Sequence, residues 1–135
     1  MAIFFCSACS TGQRGGGPSI VSVWAYTPQS AQVHPLSRFS PEGIVVHVAF
    51  TDSDGFQCRA VGSLVITLSE TGINNAVETI DLTDSQVNRD RFDAPTRTYL
   101  IRFNEVPADL TKVRVSVLFT PDSGTKLRAN NIIEK

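Results

Sequence analysis

Apolar and polar residues alternate with a period of two along most of this chain. Ile44, Val46, Val48 and Phe50 fall on one side of a run whose other side carries Val45, His47 and Ala49. Leu64, Ile66 and Leu68 alternate with Val65, Thr67 and Ser69, and Tyr99, Ile101 and Phe103 with Leu100, Arg102 and Asn104. Val113, Val115, Val117 and Phe119 alternate with Arg114, Ser116 and Leu118. Successive side chains of a strand point to opposite faces, so each run predicts a strand with one face toward a core. Their β-branched and aromatic residues suit such a pleated, half-buried surface. Shorter strands are predicted at Ile20–Tyr26, Gln32–Leu36, Gln57–Val61, Val77–Leu82 and Lys126–Ile133. His47 lies opposite the apolar side of its run, which predicts an outward, solvent-facing position.

Turn residues separate these runs. Asp52-Ser-Asp-Gly55 and Asp122-Ser-Gly124 supply the positive φ of tight hairpins, Glu70 to Asn75 reads as a longer turn, and Pro107 to Leu110 links two strong strands. Asp84 to Phe92 is the one stretch suited to a helical turn. Ser85 is its expected cap, and its length and polarity argue against a core helix. About seven to eight short strands with no helical period predict an all-β fold, a single antiparallel β-sandwich. The uneven strand lengths favour a sandwich over a closed barrel.

The 135 residues amount to one domain. Twelve Lys and Arg against thirteen Asp and Glu give a net charge of −1, without the clustered cations that nucleic-acid phosphates require. The first residues add an address. Ala2 to Phe5 are apolar, Ser7 and Ala8 are small, and Cys9 follows. This order matches the tail end of a bacterial lipoprotein signal, in which the cysteine receives the lipid. Only eight residues precede Cys9, none of them basic, and Cys6 stands where that pattern has leucine. Ser10 to Ser19 holds four glycines and no aliphatic side chain, as a flexible tether would. The expected division is 1–19 as partial signal, lipid-attachment region and tether, and 20–135 as the sandwich. No stretch reaches the ~20 apolar residues of a spanning helix, so a lipid on Cys9 is the one membrane attachment predicted. Cys6 and Cys9 also form a Cys-x-x-Cys pair, without the second pair or nearby histidine that completes a zinc site. Cys58, alone in the folded body, reads as a small apolar residue.

Chemistry-bearing residues are sparse. His34 and His47 accompany no nucleophile motif such as Gly-x-Ser-x-Gly, and surface histidines are the plainer reading. Asp52, Asp54, Asp93 and Asp122 fall between predicted strands. If those loops converge, their carboxylates would suit a hard cation such as calcium. The EF-hand spacing fails, since glycine is fourth from Asp52 and Ser63 is twelfth. The alternative is turn chemistry, in which each aspartate serves its own backbone. Trp24 and Tyr26 would offer a stacking platform for a sugar or would cover one end of the core. Arg89, Arg91, Arg97 and Arg102 are interleaved with Asp90 and Asp93, as in a solvated segment.

Val33-His-Pro-Leu-Ser-Arg-Phe39 and Arg91-Phe-Asp-Ala-Pro-Thr-Arg-Thr-Tyr-Leu100, together with the cysteine and its spacer, carry a resemblance. The chain resembles small lipoproteins of bacteria such as the planctomycetes, whose one domain is an immunoglobulin-like or transthyretin-like sandwich. The resemblance covers most of the chain. It implies that Phe92 and Tyr99 belong to the core and that Phe92–Thr96 is a turn entering a central strand. It also implies a place at the bacterial envelope, facing the periplasm or exterior, and it carries no activity.

These features lead to a first reading as a non-enzymatic, lipid-anchored, monomeric sandwich without cofactor that binds or supports another envelope component, protein or glycan. The second reading is a carbohydrate- or calcium-binding module using the aspartate loops and Trp24. A hydrolase ranks third.

Overall fold

The computed structural model describes residues 27–70, 76–122 and 124–135. Within them the order is β1 (Ser30–Val33), β2 (Arg38–Ser40), β3 (Gly43–Thr51), β4 (Gln57–Cys58), β5 (Gly62–Ser69) and β6 (Ala76–Asp81). Then come α1 (Ser85–Arg91), β7 (Phe92–Asp93), β8 (Thr98–Phe103), β9 (Lys112–Pro121) and β10 (Leu127–Glu134). Two antiparallel sheets result. One runs β1–β3–β8–β7, with β2 and β4 also paired to β3; the other runs β10–β9–β5–β6. This is a mostly-β, two-sheet fold of the general sandwich type.

The alternation along the chain sets the inner faces. Register pairs Val46 with Ile101 and Val48 with Tyr99 in the first sheet, and Leu64 with Phe119 and Ile66 with Val117 in the second. All eight side chains are buried in one apolar cluster. Each such side chain contributes about 1.5–3 kcal/mol by leaving water. Phe50 of β3 meets Phe119 of β9 at a ring separation of 4.8 Å, which joins the sheets, and Tyr99 stands edge-on to Phe50 at 5.8 Å and to Phe92 at 5.1 Å. Tyr99 is fully buried and Phe92 is half-buried against the core, with β7 and its turn leading into β8, an interior strand.

Three expectations change. The predicted strand over 32–36 stops at Val33, because Ser37 N donates to His34 O and turns the chain back into β2. The strand predicted at 57–61 is only Gln57–Cys58, since Ala60 turns inward, its N–H donating to the Tyr99 hydroxyl at 3.0 Å. The cap of α1 is Asp84, not Ser85. Asp84 has extended φ/ψ and its carboxylate accepts from Gln86 N and Val87 N, while Ser85 is already helical.

The helix also reaches the core, although its composition argued otherwise. Val87 packs against the core and Asn88 is completely buried. Asn88 Nδ2 donates to Ala60 O at 2.7 Å and to Leu82 O at 2.8 Å, and its Oδ1 accepts from the Tyr99 hydroxyl at 2.8 Å. One amide thus ties the helix, the segments that follow β4 and β6, and β8 together. A polar side chain tolerates such burial only when its hydrogen-bonding groups are met.

Candidate functional site

The β7–β8 hairpin assembles a connected group of polar side chains. Asp93 ends β7, Thr96 lies in the turn and Thr98 opens β8. Arg97 N donates to Asp93 O at 2.7 Å, which forces Arg97 to φ 56°, a left-handed conformation unusual for a residue with a side chain. Gln57 secures it: its amide donates to Thr96 O and Arg97 O, and the Arg97 guanidinium donates back to Gln57 O. The left-handed residue between the two threonines brings both hydroxyls to one side, 2.8 Å apart.

These hydroxyls connect Asp93 to His47. Thr96 Oγ1 donates to Asp93 Oδ2 at 2.6 Å, and Thr98 Oγ1 lies 2.9 Å from His47 Nδ1. The direction of the chain follows from counting protons. An ionised carboxylate only accepts, so Thr96 spends its one hydroxyl proton on Asp93. Thr98 must then donate to Thr96, and His47 Nδ1 must donate to Thr98. Neutral His47 is therefore the Nδ1–H tautomer, with Nε2 unprotonated.

His47 occupies the outer face of β3, as its alternation predicts, but it is only 6% exposed, which corrects the solvent-facing expectation. The physical reason is the β1–β2 turn. His34 N donates to His47 O at 2.8 Å, and the Ser37 hydroxyl both accepts from His47 N and donates to His47 O. The His34 ring stands 6.4 Å from that of His47. Burial holds the His47 pKa below the usual histidine value of 6.5, and Arg38, His34 and Arg102 push the same way against Asp93.

A measurable pH dependence follows. Below about pH 6.5 the unfolded chain protonates its histidine while the folded chain resists. The stabilisation is complete above that pH and is lost as pH falls toward the lower folded value. Urea unfolding across this window is expected to give a free energy that falls with acid. His47→Asn, which keeps a donor at the Nδ1 position, is expected to lose that component.

The chain has limited chemical reach. Thr98 is fully buried and the Ser37 hydroxyl is engaged by the main chain of His47, so neither is presented as a nucleophile. The arrangement orients an imidazole and ties three segments of backbone to it.

The aspartates proposed for a cation do not gather. Asp52 Oδ1 accepts from Asp54 N and Phe56 N within its own turn, and Asp93 serves Thr96. Asp54 is exposed in the Asp52 turn, and Asp122 is exposed after β9. Among the described residues no three of His, Cys, Asp or Glu come together as a metal-ligand set. Cys9, Cys6, Trp24 and Tyr26 lie outside the described residues. Cys58 is half-buried rather than buried, and burial pushes its thiol up to about 11, so it stays protonated near neutrality. The arginines disperse: Arg89 donates to Gln86, Arg91 pairs with Glu78 at 3.6 Å, Arg97 holds Gln57, and Arg102 is exposed.

The link from Asp93 to His47 escaped the sequence pattern because Thr98 is 51 residues from His47. Only the Pro95-Thr-Arg-Thr98 turn composition gave a local sign of it.

A second surface feature is the edge of the four-stranded sheet. Leu82 N donates to Gly62 O, which marks Gly62 and Leu82 as a hydrogen-bonded pair. Register then makes Ile80 and Glu78 the inward-bonded residues of β6 and turns the N–H and C=O of Val77 and Thr79 away from β5. Val77 is also 58% exposed. The opposite edge differs, because β10 lies against β1 and β2 of the other sheet. No family model, curated protein or solved structure matches this chain.

Proposed function

We propose that this protein is a non-enzymatic binding module that accepts a strand from another cell-envelope component along the edge of β6. The observation that carries this reading is the outward row of main-chain groups at Val77 and Thr79, beside an exposed valine. An edge strand pairs with extended chain through its backbone, and neighbouring side chains select the partner. The described residues form a β-rich domain without a gathered metal-ligand set, which is consistent with a binding or structural role.

The remaining parts of the proposal rest on the sequence. The Ser7-Ala8-Cys9 ending supports lipid attachment at Cys9 and a place on a bacterial envelope membrane, facing the periplasm or exterior. The resemblance to small planctomycete-type lipoproteins supports an immunoglobulin-like or transthyretin-like form of the sandwich.

The test is a photo-crosslinking side chain at Val77 in cells producing the full chain. A discrete crosslinked partner is expected, and Thr79→Pro is expected to abolish it with little loss of stability. Proline removes an N–H that faces away from β5 and is tolerated on sheet edges. A partner retained with Thr79→Pro, or no crosslinked partner at Val77, would rule out strand addition at this edge.

A further inference from the structure

We propose that the sheltered His47 is an acid-sensitive latch that holds the β1–β2 turn against β3. The hydrogen bonds that join the turn to β3 converge on His47. His34 N and the Ser37 hydroxyl both donate to His47 O, the same hydroxyl accepts from His47 N, and Ser37 N donates to His34 O. Leu36 N donates to His34 Nδ1 at 3.2 Å.

His47 already carries its Nδ1 proton, directed along the threonines to Asp93, so an added proton goes to Nε2 and leaves the chain of hydroxyls intact. What it adds is charge in a confined place. The groups that face His47 are His34 from the turn, Arg38 from β2, Arg102 from β8, and Asp93 from β7 across two hydroxyls. Three of these are basic and one is acidic. Lifting the turn rehydrates the imidazolium.

Opening would also free the N–H and C=O of His47. These groups lie on the flank of β3 between its pairings with β1, which end at Val48, and with β2, which begin at Val45. The alternation of β3 made His47 visible as an outward residue, whereas the reversal at His34-Pro-Leu-Ser37 began within a predicted strand. The shelter of the His47 imidazole exists only once the turn is folded onto the strand.

The test is amide hydrogen exchange by NMR on the intact chain at about pH 7.5 and about pH 5.5, expressed as protection factors, since histidine charge changes in this range. Protection of the His34 and Ser37 amides is expected to fall several-fold at the lower pH, while β5 and β9 hold theirs. The imidazole nitrogen shifts of the unaltered protein are expected to move with the same midpoint and to report His47 as the Nδ1–H tautomer at the higher pH. In His34→Asn/His47→Asn the pH dependence of turn protection is expected to vanish. Turn protection unchanged with pH, a fall shared equally by β5 and β9, an Nε2–H tautomer at His47, or a pH dependence that survives the double substitution would each overturn the latch.

Discussion

Asn88→Leu is expected to destabilise the protein by roughly 3 kcal/mol, although leucine nearly matches asparagine in size and is the more apolar of the two. The loss lies in what remains behind. Leu82 O would lose its side-chain donor, Ala60 O would retain only the Tyr99 hydroxyl at 3.3 Å, and that hydroxyl would lose its acceptor at Asn88. Each buried polar group left without a partner costs about 1–3 kcal/mol. The hydroxyl can turn toward Ala60 O, so the groups do not all become orphans. Tyr99→Phe removes the acceptor for Ala60 N and is expected to cost about 1–2 kcal/mol. Because the amide and the hydroxyl share one hydrogen bond, the double variant is expected to lose less than the sum. Urea denaturation of the four proteins measures this directly. A cost below about 1 kcal/mol for Asn88→Leu would mean that water or a shifted backbone replaces the amide.

Gly43→Ala is expected to be similarly costly, about 3 kcal/mol, through backbone overlap rather than lost bonding. A Cβ at Gly43 would stand 1.9 Å from Phe103 O and 2.9 Å from Phe103 C, both main-chain atoms of the neighbouring strand. No side-chain rotation relieves that contact; β3 and β8 must separate where they join the sheet. The built-in control is Gly55, whose φ of 88° places it in the left-handed region of the Asp52 turn with open space around it. Gly55→Ala meets only a conformational cost of about 1–2 kcal/mol. Thermal unfolding of both variants separates the two effects: the larger drop in midpoint belongs to Gly43→Ala. The reverse order would place the conformational demand of the turn above the close approach of the strands.

Both expectations depend on residues that the sequence marked only weakly. Gly43 stands just before a strongly alternating run, and its value lies in the nearness of Phe103, sixty residues on. Asn88 sits in a segment with little apolar character, and its local composition indicates a surface helix. What buries it is the arrival of Ala60, Leu82 and Tyr99 from three other parts of the chain. Asp93 is a similar case. Its type and position suited either a cation site or a turn, and the structure commits its carboxylate to Thr96.

The sequence by itself determined the local terms of this fold. The alternation of Ile44 to Phe50, Leu64 to Leu68, Tyr99 to Phe103 and Val113 to Phe119 fixed the strands and their core faces, because strand geometry turns a period of two directly into sidedness. The Asp52–Gly55 stretch gave its turn for the same local reason. The tertiary structure alone decided which strands became neighbours, where backbones approached closely enough to exclude a methyl group, and which polar side chains were buried. His47 is outward by its local pattern and sheltered by a turn that folds back upon it. Its tautomer follows from three side chains supplied by a distant hairpin. Burial and hydrogen-bond direction are set by what arrives from elsewhere in the chain, and a local pattern of polarity contains no record of that arrival.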